Sequence, residues 1–191
     1  MSEQAPNTAI AGILTIIVIF VVFSAFTVLP VLFMGAPFMP SYRKKSNIDF
    51  ISLFNLLRSL GVKKIIDLGS GDGRVVIDFA KAGFESYGVE INPILVWWCN
   101  RKIRKIKLEN SKIIWCNMWK TDLSSFDAVF IFHFETANKF LSKKFEKELK
   151  TDAIVISTGF PVVGDRLELI KKESPFLVYK KSGNENSFPL R

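Results

Sequence analysis

The sequence predicts an α/β domain built on a seven-stranded parallel sheet with an antiparallel hairpin at one edge, preceded by one apolar helix. Three observations indicate this fold. Apolar strand-like runs alternate with helical segments after residue 46, which is the pattern of parallel sheets. The first run, Lys64 to Leu68, leads through a glycine-rich turn into a helix. The stretch from Ile10 to Leu29 carries no charge.

Length and charge suit one domain with an appendage and a basic surface. The chain has 191 residues and a net charge of +8. Glu3 is the only charged residue before Arg43, so the portion from Arg43 onward carries about +9. Such a charge suits an anionic membrane face, an acidic protein surface or RNA, and it is equally compatible with a merely solvated surface.

The cysteine content favours a reducing compartment. Cys99 and Cys116 lie in apolar or aromatic stretches, and neither has the spacing of a metal ligand. We therefore expect two reduced thiols in a domain that faces the cytosol, with no disulfide and no metal site.

The N-terminal stretch predicts a membrane anchor. About 20 apolar residues in a helix span roughly 30 Å, the thickness of the hydrocarbon core of a bilayer. A cleavable signal peptide would have a basic start and a shorter apolar core, and neither is present. We expect a short tail over residues 1–8 and a transmembrane helix over 9–34. Because Arg43-Lys44-Lys45 follow it, the large domain should lie on the cytoplasmic side.

Residues 35–46 connect the apolar helix to the domain. Two prolines, Pro37 and Pro40, keep this segment extended, and Phe38 offers a ring. From the residues alone, a juxtamembrane linker is the simplest interpretation. A helix should then run to about Leu60, capped by Ser46 or Asn47, with an inward face of Ile51, Phe54 and Leu57.

A glycine-rich turn follows the first strand, with glycines at alternate positions: Gly69, Ser70, Gly71, Asp72 and Gly73. Glycine permits close approach of backbone to a ligand, and the helix from Val75 to Lys81 presents its N-terminal amides there. A dinucleotide fingerprint requires G-x-G-x-x-G, but Arg74 stands where its third glycine belongs.

Two acids accompany this turn. Asp67 can accept hydrogen bonds from loop amides or face a cationic ligand. Glu90 follows the second strand, Ser86 to Val89, at the distance expected for an acceptor of ribose hydroxyl groups. Any doubly wound domain could carry a glycine turn alone, but the added acid favours a nucleoside ligand.

The remaining elements follow in order. Asn92 and Pro93 begin a helix, since Asn caps and Pro suits the first helical position. The inward face of that helix is Leu95, Cys99, Ile103 and Ile106. Its basic face is more simply solvated than bound to nucleic acid, although it could rest on anionic lipid. The later strands are Ile113 to Cys116, Asp127 to Phe132, Ala153 to Thr158, Leu167 to Lys171 and Phe176 to Lys180. Between the fourth and fifth strands, Ala137, Leu141, Phe145 and Leu149 form a helical stripe.

The glycine turn with its second acid resembles the S-adenosylmethionine loop of class I, seven-strand, Rossmann-like methyltransferases. The resemblance implies that Asp67 lies near the methionine end of the cofactor and that Glu90 binds its ribose. It also implies cofactor contacts from residues 69–73 and from Asn92. The methyltransferase domain should then cover residues 47–181, followed by a loose polar tail over 182–191.

The same resemblance assigns the segment after the third strand to the adenine ring. Asn117 and Met118 are implied there, one contacting the base edge and one covering the ring. Trp119 is implied as a stacking or lid residue, and a core aromatic is the alternative.

Four segments carry a closer resemblance: Pro37 to Ser41, Asp67 to Ile77, Gly88 to Pro93 and Met118 to Leu123. Together they resemble the protein-lysine N-methyltransferases typified by the enzymes that act on the mitochondrial adenine nucleotide translocase and on the membrane ring of ATP synthase, with short archaeal relatives. The resemblance covers residues 37–179. It implies a lysine ε-amine as acceptor, on a substrate that could itself be a membrane protein, and it implies that Pro37, Phe38 and Pro40 border the active site.

A lysine acceptor needs an environment that removes its proton. We hypothesise that Phe38, Trp119 and Phe134 form an aromatic slot and that water or Glu135 takes the proton. His133 follows the fourth strand, where a doubly wound sheet places its crevice, and is a candidate substrate contact. As a lone histidine it is more often structural than a base.

Two other functions remain open. A small-molecule or lipid-amine methyltransferase would use the same cofactor loop, and a non-catalytic cofactor-binding membrane protein would keep it without transfer. A nucleic-acid substrate is not expected, because the Asn/Asp-Pro-Pro-aromatic signature of base methylation is missing after Phe132.

Overall fold

The computed structural model describes residues 5–34 and 47–183, with side chains for 10–24 and 50–183. The chain divides into two compact units, Met1–Pro40 and Ser41–Arg191. The predicted site residues Pro37, Phe38 and Pro40 lie outside the described residues.

The described part of the first unit is a single helix, α1, over Ala5–Met34. Its described side chains cover residues 10–24, and the large apolar ones from Ile10 to Phe23 are each at least 50% exposed. Thr15 returns its hydroxyl hydrogen bond to the Ala11 carbonyl at 2.8 Å. Counted over the described residues, no helix reaches both the length and the apolarity of a membrane span. The predicted transmembrane helix over residues 9–34 therefore stays a prediction.

The second unit is a seven-stranded sheet with helices on both faces. Its helices are α2 (Asn47–Ser59), α3 (Arg74–Lys81), α4 (Pro93–Lys105) and α5 (Glu135–Glu148), with a 3₁₀ turn over Met118–Lys120. Its strands are β1 (Lys64–Leu68), β2 (Glu85–Glu90), β3 (Ser111–Trp115), β4 (Ala128–Ile131), β5 (Ile154–Thr158), β6 (Leu167–Glu173) and β7 (Phe176–Lys181).

The strand order is β3-β2-β1-β4-β5-β7-β6. The first five strands pair in parallel, and β7 runs antiparallel to both β5 and β6. The predicted seven-stranded sheet with an antiparallel hairpin at one edge is therefore confirmed.

Neighbouring residues of β1 point to opposite faces of the sheet and enter different parts of the core. Ile65 packs with Phe50 of α2 and Phe79 of α3. Ile66 packs with Leu141 and Phe145 of α5. Because a strand buried on both faces must be apolar at consecutive positions, the continuous apolar run of β1 follows from the helices on both sides.

The inward face of α2 differs by one position from the predicted one. Ile51 is 57% exposed, whereas Phe50 and Leu53 are buried beside Leu57. The Phe50 ring packs edge-on against Phe79, with ring centroids 6.2 Å apart. Both Ile51 and Phe50 match a helical period, and contact with α3 and the sheet decides between them.

Several other boundaries differ from prediction by one or two residues, and α4 and β3 are two examples. Ile106 is predicted on the inward face of α4, but the helix ends at Lys105 and Ile106 is 41% exposed. Strand β3 begins at Ser111, which pairs with Ser86, and ends before Cys116. Pairing with β2 extends this edge strand to residues that have no apolar signal of their own.

Candidate active site

The candidate site lies where the carboxyl ends of β2, β1 and β4 meet. After β3 the chain crosses back past β2 and β1 to form β4, so strand order reverses between β1 and β4. A doubly wound sheet binds its ligand in the crevice at such a reversal. The loops after β1, β2 and β4 therefore supply the site.

The loop after β1 has the backbone of a ligand cradle. Gly69, Gly71 and Gly73 all have left-handed backbone, with φ angles of 80°, 54° and 71°. The amides of Gly69 and Ser70 both donate to the Val89 carbonyl at 2.9 Å. Residues with a Cβ rarely adopt this conformation, so the alternate glycines seen in the sequence are what this turn requires.

Glu90 joins the glycine loop to the start of α4. Its Oε2 accepts a hydrogen bond from the Gly71 amide at 2.9 Å, and its Oε1 accepts one from the Asn92 amide at 2.9 Å. Asn92 in turn caps α4, since its Oδ1 accepts from the amides of Ile94 and Leu95 at 3.0 and 3.4 Å. The predicted cap is confirmed, and the carboxylate is held by two backbone donors at the end of β2.

Asp67 is a buried carboxyl at the end of β1, only 6% exposed. Burial raises its pKa to about 8, and the charges of Glu90 and Asp72 act in the same direction. Asp67 is therefore largely protonated at neutral pH. A cationic ligand beside it would favour the charged form, because opposite charges stabilise one another.

Asp72 is paired with Arg74. The Arg74 Nε lies 3.0 and 2.9 Å from the two carboxylate oxygens of Asp72, and Nη2 also donates to Oδ2. Burial alone would raise the pKa of the Asp72 carboxyl, but the hydrogen bonds and charge of Arg74 outweigh it and lower the pKa. Arg74 thus occupies the position of the missing third glycine and clamps the loop.

Close packing beneath the loop is a feature that the sequence analysis missed. A Cβ at Gly88 would lie 2.6 Å from both Cβ and Oγ of Ser70 and 2.7 Å from Cδ1 of Ile113. The Cys99 thiol donates to the Gly71 carbonyl at 3.4 Å. A glycine inside a strand indicates that another part of the chain approaches its backbone closely, so the sequence could have predicted a close contact at Gly88. The Cys99 contact joins residues 28 apart and has no local signal.

His133 lies against the glycine loop from the β4 side. Its Nε2 is 2.8 Å from the Leu68 carbonyl oxygen, and a Cβ at Gly69 would lie 3.0 Å from its Cε1. Because a carbonyl only accepts, Nε2 carries the proton and Nδ1 keeps a lone pair. Burial lowers the pKa of the His133 imidazole, although the hydrogen bond to Leu68 and the charge of Glu90 act in the opposite direction. The ring is therefore neutral at pH 7.

The side chains predicted to form the slot for the acceptor lysine are more exposed to solvent than the buried Asp67. Phe134 is 49% exposed and packs on Phe160, with ring centroids 5.9 Å apart. The Glu135 side chain is 61% exposed, with its carboxylate 4.0 Å from Lys139 Nζ. Trp119 is 42% exposed, and no ring contact joins it to Phe134 in the part of the chain that the structure describes. The two described rings of the proposed slot are thus not in contact.

The segment after β3 forms the 3₁₀ turn. Asn117 caps this turn, since its Oδ1 accepts from the Trp119 amide at 3.0 Å. Met118 is half-buried and packs against the core on the α5 face of the sheet. The predicted adenine contacts of Asn117 and Met118 stay predictions.

The residues present suit a positively charged nucleoside cofactor. The glycine loop turns through left-handed backbone, Glu90 offers a carboxylate at the end of β2, and Asp67 gains its charge most readily beside a cation. Together, the strand order of the sheet, the glycine loop after β1 and the Glu90 carboxylate at the end of β2 define an S-adenosylmethionine-dependent methyltransferase domain of the seven-strand class. The chain belongs to the ANTKMT methyltransferase domain family, whose model matches residues 67–167.

Two individual relatives support this family assignment. The chain is 34% identical over 143 residues to the human lysine N-methyltransferase of the ATP synthase c-subunit, and the match covers 71% of this chain and 61% of that protein. It is 34% identical over 113 residues to a protein-lysine N-methyltransferase from Saccharolobus islandicus, and this match covers 57% of this chain and 70% of that one. The chain thus spans less than two thirds of the human relative's length.

A solved structure supports the fold independently. The RNA methyltransferase from Salinibacter ruber, in complex with S-adenosyl-L-homocysteine, superimposes with a TM-score of 0.60 at 22% identity. The match covers 78% of this chain and 97% of that one. At this identity the likeness shows the shared fold and nothing about the acceptor.

Proposed function

We propose that this chain is a membrane-anchored S-adenosylmethionine-dependent methyltransferase that transfers methyl groups to lysine ε-amines of a protein substrate. The observation that carries the cofactor assignment is the Glu90 carboxylate, which spans the glycine loop and the start of α4. The lysine acceptor is supported by the named relatives from human and from Saccharolobus islandicus.

The cofactor-facing residues have separate tasks in this proposal. The bound cofactor would supply an electrophilic methyl group on a sulfonium. Glu90 has lone pairs left for ribose hydroxyls, since each of its oxygens accepts one described hydrogen bond. Asp67 would lie near the cationic end, and Asn117 and Met118 near the adenine. Arg74 keeps Asp72, and with it the loop, in position.

Methyl transfer requires the acceptor lysine to be a neutral amine. A lysine with an ordinary pKa near 10.4 costs about 4.6 kcal/mol to deprotonate at pH 7. Desolvation, once the substrate covers the exposed rings of Phe134 and Trp119, and the adjacent sulfonium charge would both favour the neutral form. The exposed Glu135 carboxylate, or water, would then receive the proton. Residues that hold the lysine nitrogen close to the methyl group would supply further rate.

The test is transfer of a labelled methyl group from S-adenosylmethionine by the purified full chain to membranes and to soluble extract. Hydrolysis of the protein fraction should yield labelled methyl-lysine, and Glu90→Ala should abolish it. Glu85→Ala is the matched control, because Glu85 lies on the same strand at the opposite end. Label in extracted lipid alone would indicate a lipid-amine acceptor, and cofactor binding without transfer would indicate a non-catalytic protein.

The membrane anchor and cytoplasmic placement form a separate part of the proposal. They are supported by the uncharged stretch from Ile10 to Leu29, by apolar side chains exposed all around the described part of α1, and by the basic residues 43–45. A helix that is apolar on every side needs an apolar environment. Retention in the membrane fraction after alkaline carbonate extraction, with the domain open to protease from the cytoplasmic side, is expected; release by carbonate would contradict it.

A further inference from the structure

The outward surface of α4 is apolar at its start and basic towards its end. Ile94 and Trp97 are 60% and 59% exposed, and Trp115 of the adjoining strand β3 is 66% exposed. We define the α4 face as Ile94, Trp97, Arg101, Arg104, Lys105 and Trp115, all of which are exposed.

Trp115 is exposed but held in place. Its Nε1 donates to the Ile91 carbonyl at 2.9 Å, and Ile91 directly precedes the capping residue of α4. The indole therefore has its polar atom satisfied and still presents two thirds of its surface outward. A ring fixed in this way loses little entropy when another surface covers it.

The charge of this region has one sign. Between residues 91 and 108 the chain has no Asp or Glu, and its basic residues are Arg101, Lys102, Arg104, Lys105 and Lys107. Helix α5 is also lysine-rich, but it carries Glu135, Glu146 and Glu148 among its lysines. The two helices cover opposite faces of the sheet: Ile103 of α4 packs with Ile113, and Leu141 of α5 packs with Ile66.

We propose that the α4 face docks on an anionic lipid bilayer. Tryptophan beside arginine and lysine on one helix face is typical of surfaces that lie in the membrane interface, where rings reach the headgroup level and cations pair with lipid phosphates. Unpaired nucleic-acid bases stack on free ring faces. Here the Arg101 guanidinium lies 5.8 Å from the Trp97 ring centroid and Lys102 Nζ lies 5.6 Å from that of Trp98, so one face of each of these two rings already carries a cation and is closed to a base. The docking does not depend on which acceptor is methylated.

The chain offers a built-in probe for this contact. All four of its tryptophans, Trp97, Trp98, Trp115 and Trp119, lie in the second unit, and none lies in α1. Tryptophan quenching by lipids with brominated acyl chains therefore reports docking of this domain and not insertion of the N-terminal helix. We would reconstitute the full chain into vesicles of phosphatidylcholine alone or with one third phosphatidylglycerol, so that α1 is held in both membranes and only the docking of the domain differs.

Quenching is expected with the anionic vesicles and not with the neutral ones. Each basic residue near an anionic surface contributes about a fivefold preference, so Arg101→Gln/Arg104→Gln/Lys105→Gln should lower the ratio of docked to undocked domain, read from the extent of quenching in the anionic vesicles, about 100-fold. The matched control is Lys139→Gln/Lys143→Gln/Lys147→Gln, which removes the same charge from exposed positions of α5. It should change that ratio less than about threefold, because screened charges on the far side of the sheet contribute little to docking.

Circular dichroism and cofactor binding confirm that each triple variant is folded. Equal quenching in the two lipid compositions, no quenching in either, or equal effects of the two triple variants would overturn the proposal. Saturation of the α4 face by single-stranded RNA, with no response to anionic vesicles, would overturn it in favour of a nucleic-acid surface.

Discussion

The two sides of the candidate site are built differently. On the cofactor side, Asp67 is buried and Glu90 is held by two backbone amides. On the proposed acceptor side, Trp119, Phe134 and Glu135 are between 42% and 61% exposed. A cofactor that many enzymes share can be bound by a preorganised site, whereas acceptors that vary between enzymes are bound by exposed side chains near loops. Substitutions should therefore have large effects on the cofactor side and small ones on the acceptor side.

The largest effect is expected from Glu90→Ala. The change removes a charged acceptor from two loop amides and from the proposed ribose contact, and each such hydrogen bond contributes about 1.5–3 kcal/mol. Binding of S-adenosylmethionine should weaken at least about 100-fold by titration calorimetry, while Glu85→Ala binds like the parent chain. Unchanged heat for both variants would remove Glu90 from the site.

Gly88→Ala tests the close packing under the loop. The new Cβ would collide with Ser70 and Ile113, so we expect a loss of about 1–3 kcal/mol in the free energy of unfolding. Adding Ser70→Gly should restore part of this loss, because it removes one of the two colliding side chains. Chemical denaturation measures both, and a Gly88→Ala chain as stable as the parent would contradict the packing described.

The pH dependence of cofactor binding tests Asp67. With its pKa at about 8 in the free protein, Asp67 must lose a proton before it can pair with a sulfonium. Affinity for S-adenosylmethionine should therefore rise by up to about tenfold per pH unit below pH 8 and level off above it. In Asp67→Asn this dependence should disappear, as followed by calorimetry from pH 6 to 9. S-adenosylhomocysteine, which lacks the positive sulfur, should show a weaker dependence in the parent chain.

The smallest effect is expected on the acceptor side. Glu135 is exposed, and water can receive the proton in its place, so Glu135→Gln should lower turnover by less than about tenfold. If Glu135 is the proton acceptor, the variant shifts the acidic limb of the pH–rate profile. An unchanged profile in methyl transfer to extract would exclude Glu135 and leave water. Affinity for the cofactor should not change in either case.

Several elements are predictable because their signals are local. The turn after β1 needs left-handed residues and has glycines at alternate positions, and Asn92 caps α4 directly before Pro93. The inward assignment of Ile51 is wrong because Phe50 fits the same helical period, and only packing against Phe79 separates the two. Strand β3 begins as early as Ser111 because it pairs with β2 there. The residues of the edge strand carry no sequence pattern that indicates this pairing.

The sequence by itself determined the order of strands and helices, the glycine turn, the acid after the second strand and the uncharged N-terminal stretch, because each depends on neighbouring residues. The tertiary structure decided that Asp67 is neutral at pH 7, that His133 lies against Gly69, and that Trp97 and Trp115 are exposed. These properties arise from desolvation and contact between residues far apart in the chain, which local pattern does not encode.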